Sequence, residues 1–176
     1  MHRVGKFEKV SFSQFHDAMM DGVIKLCKSK EEIKKEIEEA YSTVKLPERS
    51  TRGSAGYDIV SPINFTLPPQ ETIKIPTGLR VKIKNGWFLG IVPRSSLGFK
   101  YRLQLDNSIG IIDSDYFYSD NEGHIFLKLT NDSNQFKVLN VSAGDKIAQA
   151  IFFPFGITID DGAKGVRNGG MGSTGK

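Results

Sequence analysis

Three stretches of this 176-residue sequence concentrate side chains that bind anions or activate water. The first is Gly110-Ile111-Ile112-Asp113-Ser114-Asp115-Tyr116. Two carboxylates at i and i+2 of an extended segment face the same way. Such a pair holds a divalent cation or orients a water as a general base, and an Asp-rich turn carries the same pattern. The second stretch, Pro93-Arg94-Ser95-Ser96-Leu97-Gly98-Phe99-Lys100, offers two cations and two hydroxyls around a glycine turn. That set suits phosphate, and a solvated strand end looks the same. The third, Gly170-Met171-Gly172-Ser173-Thr174-Gly175-Lys176, matches the G-x-x-x-x-G-K of a phosphate loop. It lacks the preceding strand, the Ser or Thr after the Lys and the following helix that such a loop needs. Its bare glycine amides and two hydroxyls, with Arg167 nearby, still favour an anion; a disordered tail is the alternative. Ala55-Gly56-Tyr57-Asp58 and Ala143-Gly144-Asp145-Lys146-Ile147-Ala148-Gln149 are weak signals in isolation.

Composition limits what these stretches can belong to. Apolar residues make up 39% and charged residues 25%, a globular balance. No apolar run approaches the roughly 20 residues of a membrane span. Residues 1–10 lack the apolar stretch of a secretory signal. A single cysteine, Cys27, and three scattered histidines form neither a disulfide nor a thiolate zinc site. A soluble cytoplasmic protein is expected. The net charge of +4 comes from dispersed bases rather than a basic arm, so stable nucleic-acid binding is not expected, while a small polyanion fits. Of 18 glycines, Gly156, Gly162, Gly165, Gly169, Gly170, Gly172 and Gly175 crowd the C-terminal end. Residues 161–176 therefore read as a flexible arm.

The elements that must position these residues change character at about residue 47. Residues 1–46 read as a helical extension. Ser29-Lys30-Glu31-Glu32 is a capping box, and Ile33, Ile37, Ala40 and Tyr41 follow at helical spacing. Phe12, Phe15 and Met19 predict a shorter helix over 11–20. Residues 47–160 show period two. Leu79, Val81 and Ile83 alternate with charged residues, and Asn85-Gly86 predicts a type I′ hairpin with 87–92. Further strands are expected over 72–75, 125–130, 136–141 and 147–153. Short strands broken by Gly, Pro and Asn predict a mainly β sandwich or barrel.

Taken together and in order, AGYD, PRSSLG, GIIDSDY, AGDKIAQ and RNGGMGSTG resemble the five motifs of the trimeric deoxyuridine triphosphatase (dUTPase) family, over about residues 45–176. The resemblance implies a jelly-roll-like β subunit and a homotrimer whose three active sites lie between chains. The implied reaction is Mg2+-dependent hydrolysis of dUTP to dUMP and pyrophosphate, which limits uracil in DNA and supplies dUMP. By position, Asp113 resembles the base that activates water for attack on the α-phosphorus. Tyr116 resembles the residue packed under the deoxyribose. Asn107 matches the side chain that reads uracil, with main-chain groups around Gly110 and Ile112 completing that pocket. Arg94, Ser95, Ser96 and Gln149 match phosphate contacts, and Asp58 matches a carboxylate that organises the site near Arg94. Arg167, Gly172, Ser173 and Thr174 match the arm that closes over a neighbour's nucleotide. Mg2+ is held mainly by triphosphate oxygens and water, so no direct protein ligand is implied.

The sequence departs from the family pattern in four places. Met171 stands where Phe usually stacks on uracil, and a thioether covers the base without ring stacking. Ser96 replaces the usual glycine of the second motif. Residues 117–123 lengthen the usual turn after Tyr116, which points them toward the N-terminal helices or a neighbouring subunit. The helical segment before Lys45 has no counterpart. Two other readings stay open. One is a dCTP deaminase, for which Glu122 would be the proton-shuttling carboxylate. The other is a nucleotide-responsive binding protein that uses the two added segments.

Overall fold

The computed structural model describes residues 2–22 and 29–169. It is mainly β. The strands are β1 (Gly5–Lys9), β2 (Glu48–Arg49), β3 (Tyr57–Val60), β4 (Phe65–Leu67), β5 (Thr72–Pro76), β6 (Leu79–Ile83), β7 (Trp87–Pro93), β8 (Leu103–Leu105), β9 (Gly110–Ile112), β10 (Phe126–Asn131), β11 (Leu139–Val141) and β12 (Lys146–Pro154). Helices α1 (Phe12–Gly22) and α2 (Lys30–Thr43) lie between β1 and β2, α3 (Ser95–Tyr101) follows β7, and a 3-10 helix spans Ser114–Tyr118. Strands pair antiparallel in four sheets, β2-β3-β12-β7-β9, β5-β10-β8, β1-β6 and β11-β4. Among the described residues no helix is long and apolar enough to cross a membrane.

Alternation builds the core. In β10, Leu127 and Leu129 are buried while Lys128 is exposed, and in β6 Leu79, Val81 and Ile83 point inward. They join Ile59, Ile75, Leu89, Ile91 and Ile147 in one apolar cluster. Burial of this kind contributes about 25 cal/mol per Å2 of apolar surface and is the main force holding the layers together.

The helical segment folds as its pattern predicts. The Ser29 hydroxyl accepts from the Glu32 amide at 3.3 Å while the Glu32 carboxylate accepts from the Ser29 amide at 2.8 Å. Ile33, Ile37 and Ala40 are buried on the inner face of α2, and Phe15 and Met19 on that of α1. The Tyr41 hydroxyl ties α2 to the Val10 carbonyl at 2.7 Å. Residues 1–46 are not helical throughout, however, because β1 pairs with β6 and so joins the body of the molecule before the helices begin.

Three local expectations need correction. β6 and β7 do not form a hairpin, since β6 pairs with β1 and β7 pairs with β12 and β9. Only Gly86 at that turn has positive φ, and a type I′ turn needs two such residues. The strand expected over 136–141 begins at Leu139, because Phe136 adopts φ +52 and stands exposed. The turn expected around Gly98 is the helix α3, whose seven residues are too few to show a helical period.

Candidate active site

Two clusters gather the predicted residues at opposite ends of β7. The first surrounds Asp58, whose side chain is 5% exposed. Ser50 donates to it at 2.8 Å, Lys146 Nζ lies at 2.6 Å, Arg94 Nε at 3.4 Å, and Gln149 donates at 3.3 Å. Burial alone would raise the Asp58 pKa. The hydrogen bonds from Lys146, Ser50 and Gln149 and the Arg94 charge outweigh it and hold the carboxyl below its ordinary value. Gln149 sits directly opposite Asp58 in the β12–β3 ladder. Lys146 is three residues away, so strict alternation would turn it to the other face. An irregularity in the ladder between Lys146 and Ala148 reverses the alternation and lets both side chains reach one carboxylate. Strand alternation in the sequence therefore does not point to Lys146, and Ser50, just after β2, lies in no motif that does.

Arg94 sits at the N-cap of α3, and Ser95 and Ser96 are exposed in its first turn. Arg94, Asp58 and Gln149 therefore come together, with both serines beside them in sequence.

The second cluster follows β9. Asp113 is extended, at φ −80 and ψ 160, and Asp115 lies in the 3-10 helix. Alternation on a strand is thus not what relates the two carboxylates. Arg167 relates them, with Nη2 2.5 Å from Asp113 Oδ2 and Nε 3.1 Å from Asp115 Oδ1. The same guanidinium lies 5.8 Å from the centre of the Tyr116 ring. Tyr116 is buried, donates to the His124 carbonyl at 2.7 Å and accepts from Asn121 Nδ2 at 2.9 Å. Burial raises its phenol pKa against the opposing effects of Asn121 and Arg167. The arm also touches the body where Ser119 Oγ donates to the Gly169 carbonyl at 3.4 Å.

Asn107 is exposed in the turn between β8 and β9, beside Ser108 at φ +61. Gly110 packs β9 closely on β7, because a Cβ there would meet the Ile91 side chain at 3.3 Å. Ile112 is buried. Met171, Gly172, Ser173 and Thr174 lie outside the described residues.

The segment 117–123 does reach the N-terminal helices. The Glu122 carboxylate accepts from the Ser11 amide at 2.8 Å and its hydroxyl at 2.6 Å. That arrangement binds Glu122 to the start of α1, so it is not a free carboxylate of the kind a deaminase would use to move protons. Among the described residues no three His, Cys, Asp or Glu side chains are grouped to hold a metal ion.

Register shows how far apart the two clusters are. Ile112 is level with Leu89, so Asp113 leaves β9 beside the Phe88 end of β7. Arg94 follows Pro93 at the other end. About six strand residues at about 3.3 Å each separate them by roughly 20 Å.

The dUTPase family model matches residues 42–175. A deoxyuridine 5'-triphosphate nucleotidohydrolase of Lactococcus lactis is 40% identical over 135 residues, which is 75% of this chain and 89% of that protein. The corresponding protein of Tolumonas auensis is 37% identical over 139 residues, 74% of this chain and 87% of that protein. The crystal structure of dUTPase from Streptococcus mutans superposes with a TM-score of 0.58 at 34% identity, covering 68% of this chain and 91% of that one.

Proposed function

The chain belongs to the dUTPase family, which makes it a dUTP diphosphatase converting dUTP to dUMP, and from that premise we propose how its own residues share the work. Asp113 takes a proton from a water molecule, whose oxygen attacks the α-phosphorus in line. A new P–O bond forms, the bond to the bridging oxygen breaks, and pyrophosphate leaves. Tyr116 packs beneath the deoxyribose. Asn107 and the main chain around Gly110 and Ile112 read the uracil edge. A pocket built for that edge rejects cytosine because its donors and acceptors would be left unpaired.

Arg94, Ser95, Ser96 and Gln149 contact the phosphates, and Asp58 keeps Arg94 and Gln149 in place. Two neighbouring carboxylates are too few for a protein-only octahedral magnesium cage. Mg2+ therefore fits best on triphosphate oxygens and water, where it would neutralise phosphate charge. Arg167 pairs with Asp113 and Asp115 together, one positive charge against two carboxylates. A triphosphate competes for that guanidinium, which then closes the arm over the phosphates and frees Asp113 for water.

One observation carries the assembly. Asp113 and Arg94 stand at opposite ends of β7, too far apart to serve one nucleotide within a single chain. A complete site takes them from different copies, which supports a homotrimer with three shared sites. The reading is tested by pyrophosphate release from Asp113→Asn, from Arg94→Ala, and from the two variants refolded together. Each alone is expected to be inactive, and the mixture is expected to regain turnover. Full activity in Asp113→Asn refutes the base assignment, and a dead mixture refutes the shared site.

A further inference from the structure

The segment after the 3-10 helix folds back around the Tyr116 hydroxyl. Asn121 donates to that oxygen at 2.9 Å, and its own carbonyl oxygen Oδ1 accepts from the Gly123 amide at 3.2 Å. The His124 carbonyl, one residue further on, accepts the Tyr116 proton at 2.7 Å. The ring is thus held at its far end by one donor and one acceptor, both from residues 121–124.

The backbone that places them is constrained. Glu122 and Gly123 are consecutive left-handed residues, at φ +58 and +68. A side chain at Gly123 would have its Cβ 2.7 Å from both the Phe117 Cα and the Tyr116 carbonyl. A non-glycine residue held at positive φ needs compensation from its surroundings. Glu122 obtains it from the first residues of the helical segment, through the two Ser11 donors, with the Arg80 guanidinium at 4.0 Å. Arg80 in turn lies 4.1 Å from the centre of the Phe117 ring and 3.1 Å from Glu8. A continuous set of contacts therefore runs from Ser11 through Glu122 and Asn121 to Tyr116.

We propose that Asn121 and Glu122 are positioning residues for Tyr116, and that through Ser11 the inserted helices set how sharply the site rejects a ribonucleotide. The inference rests on the reading that Tyr116 packs beneath the deoxyribose. A ring that cannot tilt leaves no room for a 2′-hydroxyl. A ring that has lost its Asn121 donor can lean away and admit one. Glu122 acts one step further out, by holding the turn that presents Asn121.

The test is the kinetics of Asn121→Ala, Glu122→Gln and Ser11→Ala on dUTP and UTP. In Asn121→Ala the ratio of kcat/KM for dUTP over UTP is expected to fall roughly threefold to tenfold, the worth of one neutral hydrogen bond. Smaller falls in the same direction are expected for Glu122→Gln and Ser11→Ala. Equal losses on both nucleotides, or an unchanged ratio, overturn the proposal, because a purely structural role does not move the ratio. Should Asn121→Ala fail to fold, Ser11→Ala carries the test from an exposed helix start. A second readout is independent of turnover. The Tyr116 ring resonances of the unliganded protein are expected to shift in Ser11→Ala and in Glu122→Gln, and unshifted resonances overturn the connection. Wild-type protein that releases no pyrophosphate from dUTP refutes the functional reading instead, and leaves the resonance test to decide the positioning.

Discussion

Acid is expected to loosen the wall behind Tyr116, with His124 deciding the pH at which it does so. The His124 ring is fully buried, against Phe15 of α1 and Phe126 of β10. Its Nε2 accepts from the Gly78 amide at 2.9 Å, which places the single ring proton on Nδ1. Nδ1 has no hydrogen-bond partner. A second proton would have to sit on Nε2, facing the Gly78 N–H. Burial, above all, lowers the pKa from 6.5 to about 4, with the Glu122 carboxylate pulling it up and Lys74 pushing it down.

The sign follows from which state takes the proton. Above pH 6.5 the imidazole is neutral whether the chain is folded or not, and stability is complete. Between 6.5 and about 4 the unfolded chain binds a proton that the folded chain refuses, so stability falls. Below about 4 both bind it and the loss stops. At about 1.4 kcal/mol per pH unit, the total is about 3 kcal/mol. For a chain of this size that is roughly 6–12 °C in Tm. The assay is thermal unfolding by circular dichroism from pH 7.5 to 4.5, at fixed protein concentration and ionic strength. His124→Gln is the companion variant, since its amide oxygen can accept from Gly78 and cannot titrate. The variant's Tm is expected to change less than the wild type's over this range. Parallel curves, or a flat wild-type curve, refute the reasoning.

Three further outcomes are expected. Gly123→Ala should cost about 2 kcal/mol or more, read as a lower urea midpoint, because the left-handed backbone and the contacts at 2.7 Å leave no place for a methyl group. Asp58→Asn should cost about 1–3 kcal/mol near neutral pH, less than the roughly 3–5 kcal/mol for breaking a fully buried pair, since Lys146 and Arg94 are partly exposed and regain water. The Asp58 pKa is lowered on folding, so this difference is present above its unfolded value of 3.8 and should vanish as pH falls through the lowered one. Arg167, paired with Asp113 here, is proposed to turn to the triphosphate, so deleting 167–176 removes the arm that closes over the phosphates and should abolish most pyrophosphate release, while sedimentation shows an unchanged oligomer.

Much of the fold was legible where the determinants are local. The capping box at Ser29 and Glu32 depends on residues three apart. The inward Leu79, Val81 and Ile83 depend only on the period of a strand. Pairing was not legible, because a partner strand is chosen by burial in three dimensions. β6 takes β1 from the far side of the inserted helices rather than its neighbour in sequence. Lys146 was hidden by an irregularity that alternation cannot foresee, and His124 by being one unremarkable residue in an apolar run. Asp113, Arg94, Asp58, Gln149 and Arg167 are candidates because five short motifs stand in one order along the chain, a pattern that sequence carries whole. Tertiary structure alone decided where they stand. The β7–β9 register puts Asp113 and Arg94 roughly 20 Å apart, and a hydrogen-bonded site spans only a few ångströms per contact, so the proposal of a shared site rests on a distance that only tertiary structure sets.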